Sequence, residues 1–356
     1  MKRKINFNAG PAILPEEVLK HAAEAVIEYN NSGLSILEIS HRGKAFDNII
    51  QESCELISEL CGLNNDHTVL WMHGGGRLQF SMIPMNFLAQ NGSAGYIDSG
   101  HWAEEALEYA TYYGDVQILA SSKEHTYNRL PQWPEHISKD LAYLHYTTNN
   151  TIYGTQYKNV PDCKVPLIAD MSSDIFSCKR DYASYAMFYA AAQKNIGPAG
   201  CAVAVIRKDM LQRVVRDLPP MLRYQAHAEQ GSVLNTPPVF AIYASLLMLR
   251  WTKAKGIAAI EKENNQKAEL LYSEVERNSL FHANVKRKED RSTMNVCFTA
   301  KNKDDESAFL NFCEMQNIIG IKGHRSAGGF RVSIYNAMPL KDVQKLVSVM
   351  QEYEKD

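Results

Sequence analysis

The stretch FYAAAQKNIGPAG, Phe188 to Gly200, sets an apolar run directly against a lysine and a glycine–proline turn. Tyr189 to Ala192 reads as the end of a buried strand, and Gly197, Pro198 and Gly200 close a tight turn just past Lys194. A lysine so placed loses water on several sides. Desolvation disfavours its ammonium form and lowers its pKa toward nucleophilic competence, as Schiff-base chemistry with an aldehyde requires. The stretch alone leaves two readings open: a reactive lysine, or a surface lysine that begins a loop.

Outward from this strand, short apolar runs alternate with helical periodicity. Val18, Leu19, Ala22, Ala23, Val26 and Ile27 share one face of a helix expected over Glu16 to Tyr29, and Phe46 to Leu60 repeats the pattern. Strands are expected at Thr68–Met72, Ala94–Ile97, Val116–Ala120, Leu141–Tyr146, Val165–Ala169, Ala186–Ala190 and Ala202–Ile206, with helices at Leu78–Leu88 and Ala103–Tyr113. The alternation predicts an α/β architecture with crossover connections and a largely parallel seven-stranded sheet. Helices over Pro238–Trp251 and Ile257–Glu276 then lead to a compact α+β unit: strand Met294–Thr299, helix Glu306–Gln316, strand Phe330–Ile334 and helix Lys341–Tyr353. The expected division is a large domain over 16–256, with 1–15 and 257–356 forming a small one.

Composition narrows the function classes. A hydrophobic share of 45%, a charged share of 22% and a net charge of −2 give no basic field for nucleic acid or an anionic membrane. The seven cysteines are scattered without a CxxC pair and read as reduced thiols, and no metal-ligand spacing is present. MKRKINFNAG lacks the apolar core of a signal peptide, and the longest uncharged window, Gln230 to Leu249, is interrupted by Gly231, Pro237 and Pro238. A cytoplasmic chain acting on small molecules is the expectation.

Three further features carry chemistry. His73-Gly74-Gly75-Gly76-Arg77 lies between a strand and a helix, where backbone N–H groups and the helix dipole favour a phosphate. It lacks both the P-loop and the GxGxxG spacing, so a plain turn stays open beside the phosphate reading. Asp170 ends an apolar strand, where open α/β sheets place ligands; it reads either as a turn or cap aspartate or as the partner of a pyridinium nitrogen. Trp102, behind Asp98-Ser99-Gly100-His101, is either core or a platform for a ring.

FNAGPAILP (Phe7–Pro15), SHRGKAF (Ser40–Phe46), GGGRLQF (Gly74–Phe80), AQKNIGPAG (Ala192–Gly200), NTPP (Asn235–Pro238) and GHRSAGGFRVSIYNAMP (Gly323–Pro339) stand in one order along the chain. In these motifs the sequence resembles the phosphoserine aminotransferases of the class V pyridoxal-phosphate enzymes, over essentially its whole length. The resemblance implies the aspartate-aminotransferase-like fold (fold type I) and pyridoxal 5′-phosphate as cofactor. Lys194 would hold the cofactor aldehyde and move the substrate's α-proton, Asp170 would pair with the ring nitrogen, and Trp102 would stack on the ring. Thr151 and Gln193 would hydrogen-bond the cofactor, and Gly76 and Arg77 would hold its phosphate. Asn235 and Thr236 would reach that phosphate from a second subunit, which implies a homodimer.

The resemblance further implies a ping-pong transfer of the amino group from L-glutamate to 3-phosphohydroxypyruvate, giving O-phospho-L-serine and 2-oxoglutarate. An analogous step on 3-hydroxy-2-oxo-4-phosphonooxybutanoate in pyridoxine biosynthesis is compatible with it. Burying a phosphate dianion beside a carboxylate requires several charge-assisted donors. Arg331 would grip the α-carboxylate, while His41, Arg42, His324 and Arg325 would face the phosphate or glutamate's side-chain carboxylate. Two positions depart from the family pattern: Asn150, where an acidic residue is usual, and Ala9, where some members carry serine. Among other readings, a cysteine desulfurase would need a reactive cysteine on a mobile loop. Cys178 and Cys313 do not offer one. A small-amino-acid aminotransferase has no use for two His-Arg pairs, and a cofactor-binding regulator has none for a proton-moving lysine.

Overall fold

A computed structural model describes residues 3–355. The chain opens with α1 (Glu16–Ile27) and α2 (Lys44–Leu60), followed by β1 (His67–His73), α3 (Gly76–Phe87), β2 (Ser93–Asp98), α4 (His101–Ala110) and β3 (Asp115–Ser121). Four more strands complete the large sheet: β4 (Leu144–Thr147), β5 (Leu167–Asp170), β6 (Met187–Ala191) and β7 (Cys201–Arg207). Their spatial order is β1-β7-β6-β5-β4-β2-β3. β3, β2, β4, β5 and β6 run parallel, whereas β7 is antiparallel to both of its neighbours. Seven strands and a mainly parallel sheet match the sequence expectation; the reversed direction of β7 carries no sequence signal, because a doubly buried strand looks the same in either direction.

The sheet is covered on both faces, and the period-two alternation of strand side chains sorts its residues between them. Val203 and Val205 join the cluster built with Val18 and Ala22 of α1 and Phe46 and Ile49 of α2. Ala202, Ala204 and Ile206 join the opposite cluster, with Phe80 and Ile83 of α3 and Ala106 and Ala110 of α4. α5 (Val239–Lys255) is buried on most of its surface, which explains the long uncharged window read in the sequence. No helix among the described residues is long and apolar enough to cross a membrane.

From α5 the chain turns at Gly256 into α6 (Ile257–Arg277). A three-stranded antiparallel sheet follows, β8 (Phe281–Ala283), β9 (Asn295–Ala300) and β10 (Phe330–Ser333), in that spatial order. α7 (Asp305–Met315) and α8 (Leu340–Tyr353) belong to the same segment. Its core is aromatic: the Phe281 ring lies 5.4 Å from Phe298, 4.9 Å from Phe309 and 5.7 Å from Phe330. Truncating such a ring to alanine costs about 3–5 kcal/mol. The strand Phe281–Ala283 escaped sequence reading because three residues are too few to show alternation. The chain start also belongs here, since Ile5–Asn6 pairs in parallel with Ile318–Ile319.

Candidate active site

The parallel strands end together, and their C-terminal ends carry the residues singled out in the sequence. Asp170 closes β5 in register with Thr147 on β4 and Tyr189 on β6. Three residues past β6 stands Lys194, and just past β1 comes the Gly74–Gly76 turn into α3. A cleft of about 230 Å³ opens there, lined by Gly76, Arg77, Phe80, Trp102, Asp170, Ser172, Ala191, Gln193 and Lys194.

Lys194 is partly buried, and its Nζ donates to Thr151 Oγ1 at 3.1 Å. Burial lowers its pKa to about 8, Asp170 pulls the other way, and the positive charge of Arg331 lowers it further. A substantial neutral fraction therefore exists near pH 8, which is the nucleophilic form. Asp170 is 6% exposed and is pushed above the usual carboxylate range by burial, with Lys194 and Ser172 opposing the shift. The Ser172 N–H donates to Asp170 Oδ1 at 2.8 Å. A buried carboxylate that forms no ion pair is short of positive partners, so it favours a protonated nitrogen placed against it.

The floor and walls of the cleft follow from close packing. A Cβ at Gly76 would stand 3.3 Å from Ser172 Oγ and 3.5 Å from Ala191 Cβ, so glycine leaves the first backbone N–H groups of α3 accessible. At Gly100 a Cβ would meet Asn150 Oδ1 at 2.7 Å. Glycine there lets α4 begin close to Asn150 and sets Trp102 into the cleft wall. Asn150 is buried and its Nδ2 donates to Ser99 Oγ at 3.2 Å and Thr155 Oγ1 at 3.0 Å, so an amide serves this position well. Ala9 presents its carbonyl to Tyr335 Oη at 2.7 Å, a contact independent of its side chain.

Arg77 forms a two-pronged ion pair with Glu105, at 2.8 Å and 3.0 Å, and lies 5.5 Å over the Trp102 ring. Its side chain is 58% exposed, so the pair yields readily to a competing anion. Trp102 Nε1 and Arg331 Nε are buried without a hydrogen-bond partner among the described residues. Buried polar atoms of this kind mark groups that a ligand completes.

The other expected residues divide. Arg331 on β10 is near enough to shift both Lys194 and His324. Arg325 is exposed on the loop beside His324. Thr151, His324, Arg325 and Arg331 are not in the cleft lining, nor are His41, Arg42, Asn235 and Thr236, and Arg42, Asn235 and Thr236 are exposed. Cys178 and Cys313 lie away from the cleft lining, and burial raises both thiols, opposite to what a desulfurase needs. Ser172 and Phe80 were missed. The Asp-x-Ser spacing at a strand end was the available signal for Ser172, since an aspartate there commonly accepts the N–H two residues on.

The family Aminotransferase class-V matches residues 5–346. The chain belongs to the class-V aminotransferases. A phosphoserine aminotransferase of Phocaeicola vulgatus is 48% identical, covering 99% of both chains, and that of Bacillus subtilis is 43% identical, covering 100% of this chain and 99% of the relative. Among solved structures, the phosphoserine aminotransferase of Bacillus circulans subsp. alkalophilus superposes with a TM-score of 0.96 at 39% identity, covering 100% and 99% of the two chains. A pyridoxal-phosphate-bound phosphoserine aminotransferase from Trichomonas vaginalis superposes at 0.93 with 36% identity, covering 98% of this chain and 100% of that one. For a class-V aminotransferase the cleft has the right parts: a lysine with a lowered pKa, a carboxylate lacking a cation, an aromatic wall and a helix start left open by Gly76.

Proposed function

We propose that this chain transfers the amino group of L-glutamate to 3-phosphohydroxypyruvate, forming O-phospho-L-serine and 2-oxoglutarate, the transamination of serine biosynthesis. The chain is a pyridoxal-phosphate-dependent transaminase and one of the phosphoserine aminotransferases. When bound, the cofactor supplies an aldehyde that carries the amino group and a ring that takes up the electron pair left at the substrate's α-carbon.

The chain's own residues do the rest. Neutral Lys194 Nζ takes the α-proton and returns it, steadied by Thr151 Oγ1. With the cofactor bound, Asp170 would keep a proton on the ring nitrogen, Trp102 would stack on the ring, and Gln193 and Thr151 would hydrogen-bond it. Gly76 and Arg77 would hold its phosphate, Arg77 exchanging its exposed pair with Glu105 for that anion. Arg331 grips the substrate's α-carboxylate, and His324 and Arg325 face the far anionic end. The observation that carries this reading is the juxtaposition in one cleft of Lys194, its pKa lowered toward the neutral amine, and Asp170, a buried carboxylate that a protonated ring nitrogen would stabilise in its charged form.

His41, Arg42, Asn235 and Thr236 are assigned to a homodimer in which a second copy brings them to the cleft, a reading that rests on the family resemblance. A cytoplasmic location and a parallel step on 3-hydroxy-2-oxo-4-phosphonooxybutanoate in pyridoxine biosynthesis belong to the same proposal, as does the division into a body of 16–256 and one of 1–15 with 257–356. The test is kcat/KM for 3-phosphohydroxypyruvate against unphosphorylated hydroxypyruvate, with glutamate as donor. Charged groups left unpaired reject the smaller acid by roughly 10⁴-fold. Comparable values would move the chain to a small-amino-acid transaminase.

A further inference from the structure

His101 is the first residue of α4, next to Trp102 and outside the set expected from sequence. Its ring lies 5.0 Å from the Trp102 ring on one side and 5.6 Å from the His324 ring on the other, with the two imidazoles tilted by 35°. The His324 ring is oriented by its own loop: Nδ1 lies 2.7 Å from Ser326 Oγ and 3.3 Å from the Ser326 N–H. A nitrogen that accepts from a backbone N–H carries no proton, so the proton of neutral His324 sits on Nε2, on the opposite edge of the ring. No hydrogen bond engages the His101 ring among the described residues.

The two imidazoles lie side by side at the start of α4, whose positive dipole end favours an anion there. Arg325 and Arg331 stand around the same spot and act on His324 in the same sense. The arrangement is thus a small cluster of imidazole and guanidinium donors, spanning from the start of α4 to the 323–331 loop. An anion reached by the N–H edges of the two rings and by the neighbouring guanidinium groups would be met by several donors at once, and a dianion would gain more from them than a monoanion. His101 adjoins Trp102, which lines the cleft, and the His324 ring lies against His101, so the cluster borders the cleft beside Trp102.

We propose that His101 is a specificity-determining residue that grips the phosphate of the oxo-acid substrate jointly with His324, closing the anion between the large sheet's α4 and the loop before β10. The inference deepens the reaction proposed above and rests on it. An imidazole donor to a dianion is worth about a tenfold to hundredfold preference for the phosphorylated acid.

The test compares wild type with His101→Ala and His101→Gln on 3-phosphohydroxypyruvate and hydroxypyruvate, with inorganic phosphate as competing inhibitor. The expected result is that His101→Ala lowers the kcat/KM ratio of the two acids by at least about tenfold and weakens phosphate inhibition in step, while hydroxypyruvate is used as before; His101→Gln, which retains a donor, recovers part of the ratio. Equal loss on both acids would reduce His101 to a support for Trp102 and overturn the proposal, as would an unchanged ratio. A wild-type ratio near one would overturn the reaction itself, and this inference with it.

Discussion

Lys194 and Lys267 are both pressed by burial toward the neutral amine, to about 8 and about 7, yet their surroundings treat them differently. Lys194 donates one hydrogen bond, to Thr151, and faces an open cleft. Lys267, in the middle of α6, donates to the carbonyls of Ile334 at 3.0 Å, Tyr335 at 2.8 Å and Met338 at 3.0 Å. Three acceptors need three N–H donors, which only the ammonium supplies, and Glu263 also favours the charge. One lysine is desolvated and left free; the other is desolvated and saturated. Burial alone therefore makes no reactive lysine: reactivity requires donors and acceptors withheld on one side.

The two lysines are also tied together through the structure. The Ile334–Met338 turn that Lys267 holds follows directly on β10 and Arg331. Asn336 in that turn donates to Phe176 O at 3.1 Å, and its backbone N–H donates to Asn195 Oδ1 at 3.1 Å, one residue past Lys194. The saturated lysine and this asparagine bridge thus lock the turn behind Arg331 to the loop that carries the free lysine.

The largest expected effect breaks the pair at its reactive end. Lys194→Ala should lower turnover by about 10²–10⁴-fold or more, measured with glutamate and 3-phosphohydroxypyruvate, without loss of thermal stability. The folded value near 8 lies below the ordinary lysine value, so the cost of holding the ammonium is absent at strongly alkaline pH, grows as pH falls and is complete below 8. Removing this lysine should thus raise stability at pH 7 and leave it unchanged near pH 11. Lys267→Met should act oppositely. It leaves three buried carbonyls without donors, and the urea midpoint should reveal a loss of about 3–5 kcal/mol.

Smaller effects sharpen the contrast. The rate at which apoprotein captures pyridoxal phosphate should rise with pH up to about 8 and level off above it, following the neutral amine of Lys194. Asp170→Asn removes the charge that raises the Lys194 pKa and should move that break to lower pH; Arg331→Met removes a charge that lowers it and should move the break up. Glu105→Gln should change cofactor affinity least, by under about 1 kcal/mol, because it only frees Arg77 from an exposed pair.

The legibility of these features in the sequence follows the range of the interactions. Lys194, Asp170 and the Gly76 turn each sit at the end of an apolar run, so strand periodicity alone marked their place at one edge of the sheet. Lys267 lies in KENNQKAEL, which reads as a solvated helix face; its partners come from 334–338, and no local pattern announces them. The direction of β7 and the pairing of Ile5–Asn6 with Ile318–Ile319 were hidden for the same reason. His101 gave no signal until its ring was seen facing His324 across two elements.

The most direct test of the distinction is to load the apoprotein with pyridoxal phosphate near pH 8, reduce with borohydride, and map the modified lysine by peptide mass spectrometry. The account predicts stoichiometric label at Lys194 and none at Lys267. Label at Lys267, or label scattered over the exposed lysines with Lys194 left bare, would contradict it.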